Sequence, residues 1–168
     1  MASYTSEYPP IPFDAAYKQF FEDFYATSDT PDAHAKYVEQ FTPDAMLIMA
    51  SKKAKGSEGS SPTMPSLCSP YSSALSHSPA EILALRKGLW EKVNSRLHRA
   101  SKIFPYGPNA DEVMLHGTVQ YKLKAGGESS VDWAAYAHLV KVDGVVKMDF
   151  YQVYLVGQVM SGAMSFMC

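Results

Sequence analysis

His138 and Asp149 are the residues of this chain whose types and spacing most directly suggest acid–base chemistry. They lie on two β-rich runs joined by Asp143-Gly144, a dipeptide suited to a type I′ turn because both central residues need positive φ. A two-residue loop there pairs Leu139 with Met148, His138 with Asp149, Tyr136 with Tyr151 and Trp133 with Tyr154. A carboxylate opposite an imidazole raises its basicity and fixes its tautomer, which an enolising or dehydrating enzyme can use. Asp132 shares their parity, so the predicted catalytic set is His138, Asp149 and Asp132.

Period-two alternation sorts this hairpin onto two faces. One carries Trp133, Ala135, Ala137, Leu139, Met148, Phe150, Gln152 and Tyr154; the other carries Asp132, Tyr136, His138, Asp149 and Tyr151. The apolar face suits a core and the floor of a pocket. The polar aromatic face is then the outside of the sheet, and Tyr136, Tyr151 and His116 are expected there as a homodimer interface. A bulge in either strand would reverse this assignment beyond it. The predicted ligand-binding residues are Tyr17, Phe21, Phe24, His34, Trp133, Phe150 and Tyr154.

The elements that must position these groups follow from local patterns. Residues 1–12 form an extended, Pro-rich lead. Phe13, Tyr17, Phe20, Phe21 and Phe24 recur at helical spacing, giving a first amphipathic helix with an aromatic stripe. Ser28 to Asp32 reads as the start of a second helix, capped by Thr30 and running to about Phe41, with His34 on its apolar side. A short buried strand, Ala45 to Ala50, and a basic hairpin-like stretch, Lys52 to Gly56, come next. Residues 59–79 are rich in Ser and Pro and nearly uncharged, which predicts a disordered insertion, compatible with a retained intron. Glu81 to Val93 is a third helix, with Ser78 and Glu81 at capping-box spacing. Two strands, Asn94 to Phe104 and Val113 to Leu123, precede the hairpin; Arg96 and His98 share parity on the first. The domain spans residues 13–157, followed by a Met-rich tail, 158–168.

The 168 residues suit one domain, and 46% apolar with 12% aromatic content suits a packed core with a pocket. Fifteen basic against 17 acidic residues leave a formal charge of −2, with no field that favours nucleic acid or an anionic membrane. The N-terminal MASYTSEYPPIP lacks a signal-peptide pattern and no run is long enough to span a bilayer, so a cytoplasmic protein is expected. Cys68 and Cys168 form neither a disulfide framework nor a metal pair, and the histidines lack tight ligand spacing, so no metal is expected. Nor does a P-loop, dinucleotide fingerprint or nucleophile elbow occur, and no cofactor is expected.

The order of elements, the FTPDA segment after the second helix and the closing KMDFYQVYL strand resemble the nuclear-transport-factor-two-like superfamily, in its SnoaL-like branch. The resemblance implies an α+β fold in which a cone-shaped, curved antiparallel sheet wraps the N-terminal helices as a barrel open at one end. It also implies a pocket for a small apolar or polyaromatic molecule and, where members are enzymes, cofactor-free isomerisation, cyclisation or dehydration. The position matching the proton-shuttling Asp of ketosteroid isomerases holds Met49, and their helix-one Tyr has counterparts in Tyr17 or Tyr25. Other members only bind or dimerise, so a non-catalytic dimeric module is the alternative.

Overall fold

A computed structural model describes residues 4–50, 52–55 and 79–156. Of the expected insertion at 59–79 only Pro79 is described, as the first residue of the third helix; the rest of it, the Ser78 cap and the tail lie outside the described residues. The described elements run α1 (Ala15–Asp29), α2 (His34–Glu39), β1 (Phe41–Met49), β2 (Lys52–Lys55), α3 (Pro79–Trp90), β3 (Val93–Pro105), β4 (Glu112–Leu123), β5 (Glu128–Val142) and β6 (Val145–Val156). The strands form one six-stranded sheet in the order β2-β1-β6-β5-β4-β3. The expected α+β layering holds. The sheet is mixed, because β1 lies parallel to β6, and it is open, with β2 and β3 at its two edges.

The core forms where the aromatic stripe of α1 meets the inward face of the sheet. Tyr17, Phe20, Phe21, Phe24 and Tyr25 are buried in one cluster with Val113, Leu115, Trp133, Ala135, Ala137 and Leu139. Ala135 and Ala137, both fully buried, bring small side chains to the centre of the sheet, which leaves volume for the rings of α1. Asp14 opens the helix by accepting the Ala16 N–H at 2.8 Å. Thr30, expected to start α2, instead closes α1: its N–H and hydroxyl donate back to the carbonyls of Thr27 and Ala26. The α2 helix begins only at His34, without a side-chain cap.

The Asp143-Gly144 turn forms as expected, with φ of 51° and 80°. Val142 pairs with Val145 and Leu139 with Met148, but His138 then pairs with Phe150, leaving Asp149 as an extra residue. The neighbouring β1 also breaks register here, between Phe41 and Met46, where Pro43 offers no backbone donor. Past this bulge the parity of β6 is inverted. Tyr151 and Val153 turn inward opposite Ala137 and Ala135, whereas Phe150, Gln152 and Tyr154 face outward. This corrects three assignments: Phe150 and Tyr154 do not floor a pocket, and Tyr151 is not on the outer face.

A second bulge interrupts β3 between Ala100 and Lys102, opposite Gly117. A Cβ on Gly117 would lie 1.9 Å from the Arg99 carbonyl oxygen, so only glycine lets β4 pass the bulge. Gly117→Ala should destabilise the fold by about 2–3 kcal/mol. Urea denaturation checks this, and a midpoint within error of the parent would show that the strand relaxes freely.

Candidate active site

The last turn of α1 leaves carbonyls that the helix cannot satisfy. Two buried guanidinium groups fill that role. Arg86, from α3, donates through Nη1 to Ser28 O at 3.0 Å and through Nη2 to Thr27 O and Thr30 O at 3.0 and 2.7 Å. Arg96, from β3, donates through Nε and Nη2 to Ser28 O at 3.0 and 2.6 Å and through Nη2 to the Ser28 hydroxyl. Arg86 lies over the Tyr37 ring, 4.4 Å from its centroid, and Arg96 over Trp90 at 4.6 Å. Burial lowers both pKa values, that of Arg86 to about 10, so both remain cations at neutral pH.

Held this way, α1 delivers Asp29 to the edge of β3. Asp29 Oδ2 accepts the His98 backbone N–H at 2.7 Å, and Oδ1 lies 2.5 Å from His98 Nδ1. Arg96 Nε sits 3.7 Å from the same carboxylate. The two donations from His98 lock ring and backbone to one acid. The Nδ1–H tautomer that a carboxylate acceptor selects leaves the Nε2 lone pair available. Desolvation lowers the His98 pKa, outweighing the opposing pull of Asp29, so the ring is neutral at pH 7.

His98 borders a narrow cleft with a cavity volume of about 40 Å³, together with Phe24, Tyr25, Tyr121, Trp133 and Tyr151. Tyr25 stacks on the imidazole with centroids 5.5 Å apart, and its hydroxyl is 3.1 Å from that of Tyr151. Burial raises the pKa of both phenols, so both are neutral at pH 7. Trp133, edge-on to His98 with ring centroids 6.1 Å apart, carries a buried Nε1–H without a hydrogen-bond partner. A free donor, a neutral base and one cation, Arg96, therefore border one cleft.

Of the predicted ligand-binding residues, Phe24 and Trp133 line this cleft. Tyr17 and Phe21 are core residues outside its lining, and His34 sits on α2 with Nδ1 buried and unpartnered. The predicted catalytic pair does form a contact, His138 Nδ1 to Asp149 Oδ1 at 2.6 Å, with Asp111 Oδ2 3.7 Å from Nε2. It lies on the outer face of the sheet, away from the cleft, as does exposed Asp132. His116 and Tyr136 are also outward, stacked on Phe104 and edge-on to Phe150 respectively. The inward pair, Asp29 and His98, went unmatched in the sequence. Its signal was there: Phe21, Tyr25 and Asp29 are four residues apart on the buried helix face, and Arg96 and His98 share strand parity.

No family model matches the chain, and no curated protein does. Solved structures do. A scytalone dehydratase candidate from Novosphingobium aromaticivorans superposes with a TM-score of 0.65 at 14% identity, over 84% of this chain and 83% of its own. A type 2 hexachlorocyclohexane dehydrochlorinase gives 0.60 at 16% identity, over 87% and 88%. An NTF2-like protein of unknown function from Exiguobacterium gives 0.57 at 12% identity, over 86% and 100%. The chain has the nuclear-transport-factor-two-like fold. In this NTF2-like chain the cleft sits between the C-terminal half of α1 and the inward faces of β3 to β6.

Because the position of Asp29 depends on the two arginines, Arg86→Met should be costly: it removes three charge-assisted donations to helix-end carbonyls and leaves buried space behind. We expect a loss of about 3 kcal/mol in denaturant unfolding. A loss below about 1 kcal/mol would mean that α1 is held by its aromatic face alone.

Proposed function

We propose that this protein is a cofactor-free lyase or isomerase, in which His98, oriented by Asp29, removes a proton from carbon on a small aromatic or apolar molecule that enters the narrow cleft as its side chains part. The observation that carries this reading is the neutral imidazole held at Nδ1 by a carboxylate inside an aromatic-walled cleft. His98 Nε2 takes the proton, and the C–H electron pair forms the new double bond. In an elimination, a leaving group on the next carbon departs with its bonding electrons; in an isomerisation, the imidazolium returns the proton to another carbon. Trp133 Nε1–H donates to the oxygen or leaving group on which negative charge builds, and Arg96 and Arg86 favour that charge from behind the dyad. Two structural neighbours are named for loss of water or hydrogen chloride, reactions of this class, which supports the reading.

A nitro-substituted benzisoxazole, whose N–O bond breaks when a base removes the proton on its isoxazole carbon, is a direct probe. The protein should accelerate its opening over buffer, and His98→Ala should reduce that rate by about 100-fold or more. Asp29→Asn should also reduce it, while His138→Gln leaves it unchanged. The acid limb of the rate profile should fall below pH 6.5, the ordinary histidine value, because burial disfavours the protonated ring. Equal rates in His98→Ala and the parent would remove the proposal.

We also propose that the outer face of the sheet joins two copies of the chain. Phe104, Met114 and Tyr154 are 46%, 44% and 44% exposed, with Tyr136 beside Met114 and Phe150 edge-on to Tyr136. A second copy would cover this aromatic patch about a two-fold axis. Met114→Lys should shift a dimer to monomer in sedimentation velocity without changing the probe rate; a parent that sediments as a monomer would refute the interface.

A further inference from the structure

The buried end of α1 gathers more donors than acceptors. Ser28 O alone receives three donations, from Arg86 Nη1 and from Arg96 Nε and Nη2, although a carbonyl oxygen has two lone pairs. Arg86 Nε and the indole Nε1 atoms of Trp90 and Trp133 are buried without an acceptor. Charge is unbalanced in the same sense. Arg86 and Arg96 are 1% and 9% exposed, and among the described residues one carboxylate, Asp29, forms an ion pair with either, 3.7 Å from Arg96 Nε. His98, Tyr25 and Tyr151 are neutral at pH 7. One formal positive charge is therefore left over, and the helix end, worth about half a negative charge, offsets only part of it. A buried charge without a full counterpart is costly. The narrow cleft opens at this place, since Ser28, Arg96, His98 and Trp133 all border it.

We propose that the molecule taken into this cleft carries a carboxylate, which accepts the Trp133 Nε1–H and lies in the field of Arg96. The proposal names the substrate class of the site described above, and it rests on that reading for the reaction at carbon. A carboxylate brings one negative charge and acceptor lone pairs only, which complements a place with one surplus cation and surplus donors. An amide of the same shape brings no charge and adds two N–H donors where donors already lack partners. The apolar part of the molecule is served by the remaining walls, Phe24, Tyr121 and Val153 among them. Trp133 and His98 have ring centroids 6.1 Å apart, so a carboxylate at the indole and an acidic carbon at the imidazole fit within one small molecule. The substrate is then a small carboxylic acid, bound as its anion, whose reacting C–H lies beyond the carboxylate.

Acetate and acetamide, alike in shape and different in charge, are the probes, titrated at neutral pH and constant ionic strength. The readouts are the indole N–H signals, of which the chain has two, and the His98 ring signals in nitrogen–proton correlation spectra. Trp133→Phe identifies the Trp133 signal by its loss. Acetate should move that signal saturably, at a concentration lower than acetamide requires by about tenfold or more. Arg96→Gln should abolish the preference for acetate and Arg96→Lys should keep it, with thermal unfolding confirming that each variant is folded. Should Arg96→Gln not fold, Trp133→Phe decides: the acetate-induced shift of the His98 ring should then need about tenfold more acetate. Equal affinities for the two probes, no saturable shift from either, or a preference for acetate that survives Arg96→Gln overturns the proposal. Selective acetate binding by a protein with no benzisoxazole activity keeps the carboxylate site and removes the catalytic reading. Benzisoxazole activity without selective acetate binding does the reverse, so the two failures are distinguishable.

Discussion

The carbonyls at the C-terminal end of α1 are the constraint on which the site depends. A helix end buried against a sheet must find donors, and here they are guanidinium groups from α3 and β3. The same contacts that satisfy the backbone fix the last turn of α1 relative to β3, and with it the reach of Asp29 to His98. Positive charge accumulates beside a single carboxylate, in a place where desolvation already disfavours a protonated imidazole. One arrangement thus caps the helix, joins three elements and sets the protonation state of the base.

The two faces of the sheet carry histidine–aspartate pairs of similar geometry, and their surroundings separate them. His138 and Asp149 are 30% and 35% exposed at their side chains, whereas Asp29 is 5% exposed. In water, a pair gains little from mutual charge and constrains little else. Inside the cleft, the same contact orients a ring against aromatic walls and an unpartnered indole N–H. The outer pair also has a structural explanation, since the β6 bulge sets Asp149 beside His138 and is what turns Tyr151 inward.

Most of the architecture was legible in the sequence because local rules governed it: the aromatic stripe of α1, the Asp-Gly turn and the alternation of β5 all appear as read. The site was less so, for two reasons. A bulge is a tertiary event, and one extra residue at Asp149 exchanged the faces of Tyr151, Phe150 and Tyr154. The Asp29–His98 pair joins residues 69 positions apart, and the Ser-Asp-Thr-Pro run that holds Asp29 looks like a helix start when it is in fact a helix end.

The central claim is that His98 is a neutral base whose Nδ1 proton is held by Asp29. The ring's nitrogen–proton correlation pattern in the unmodified protein at neutral pH measures this most directly. The account predicts the Nδ1–H tautomer, with Nε2 unprotonated. A doubly protonated ring or the Nε2–H tautomer at that pH would contradict it.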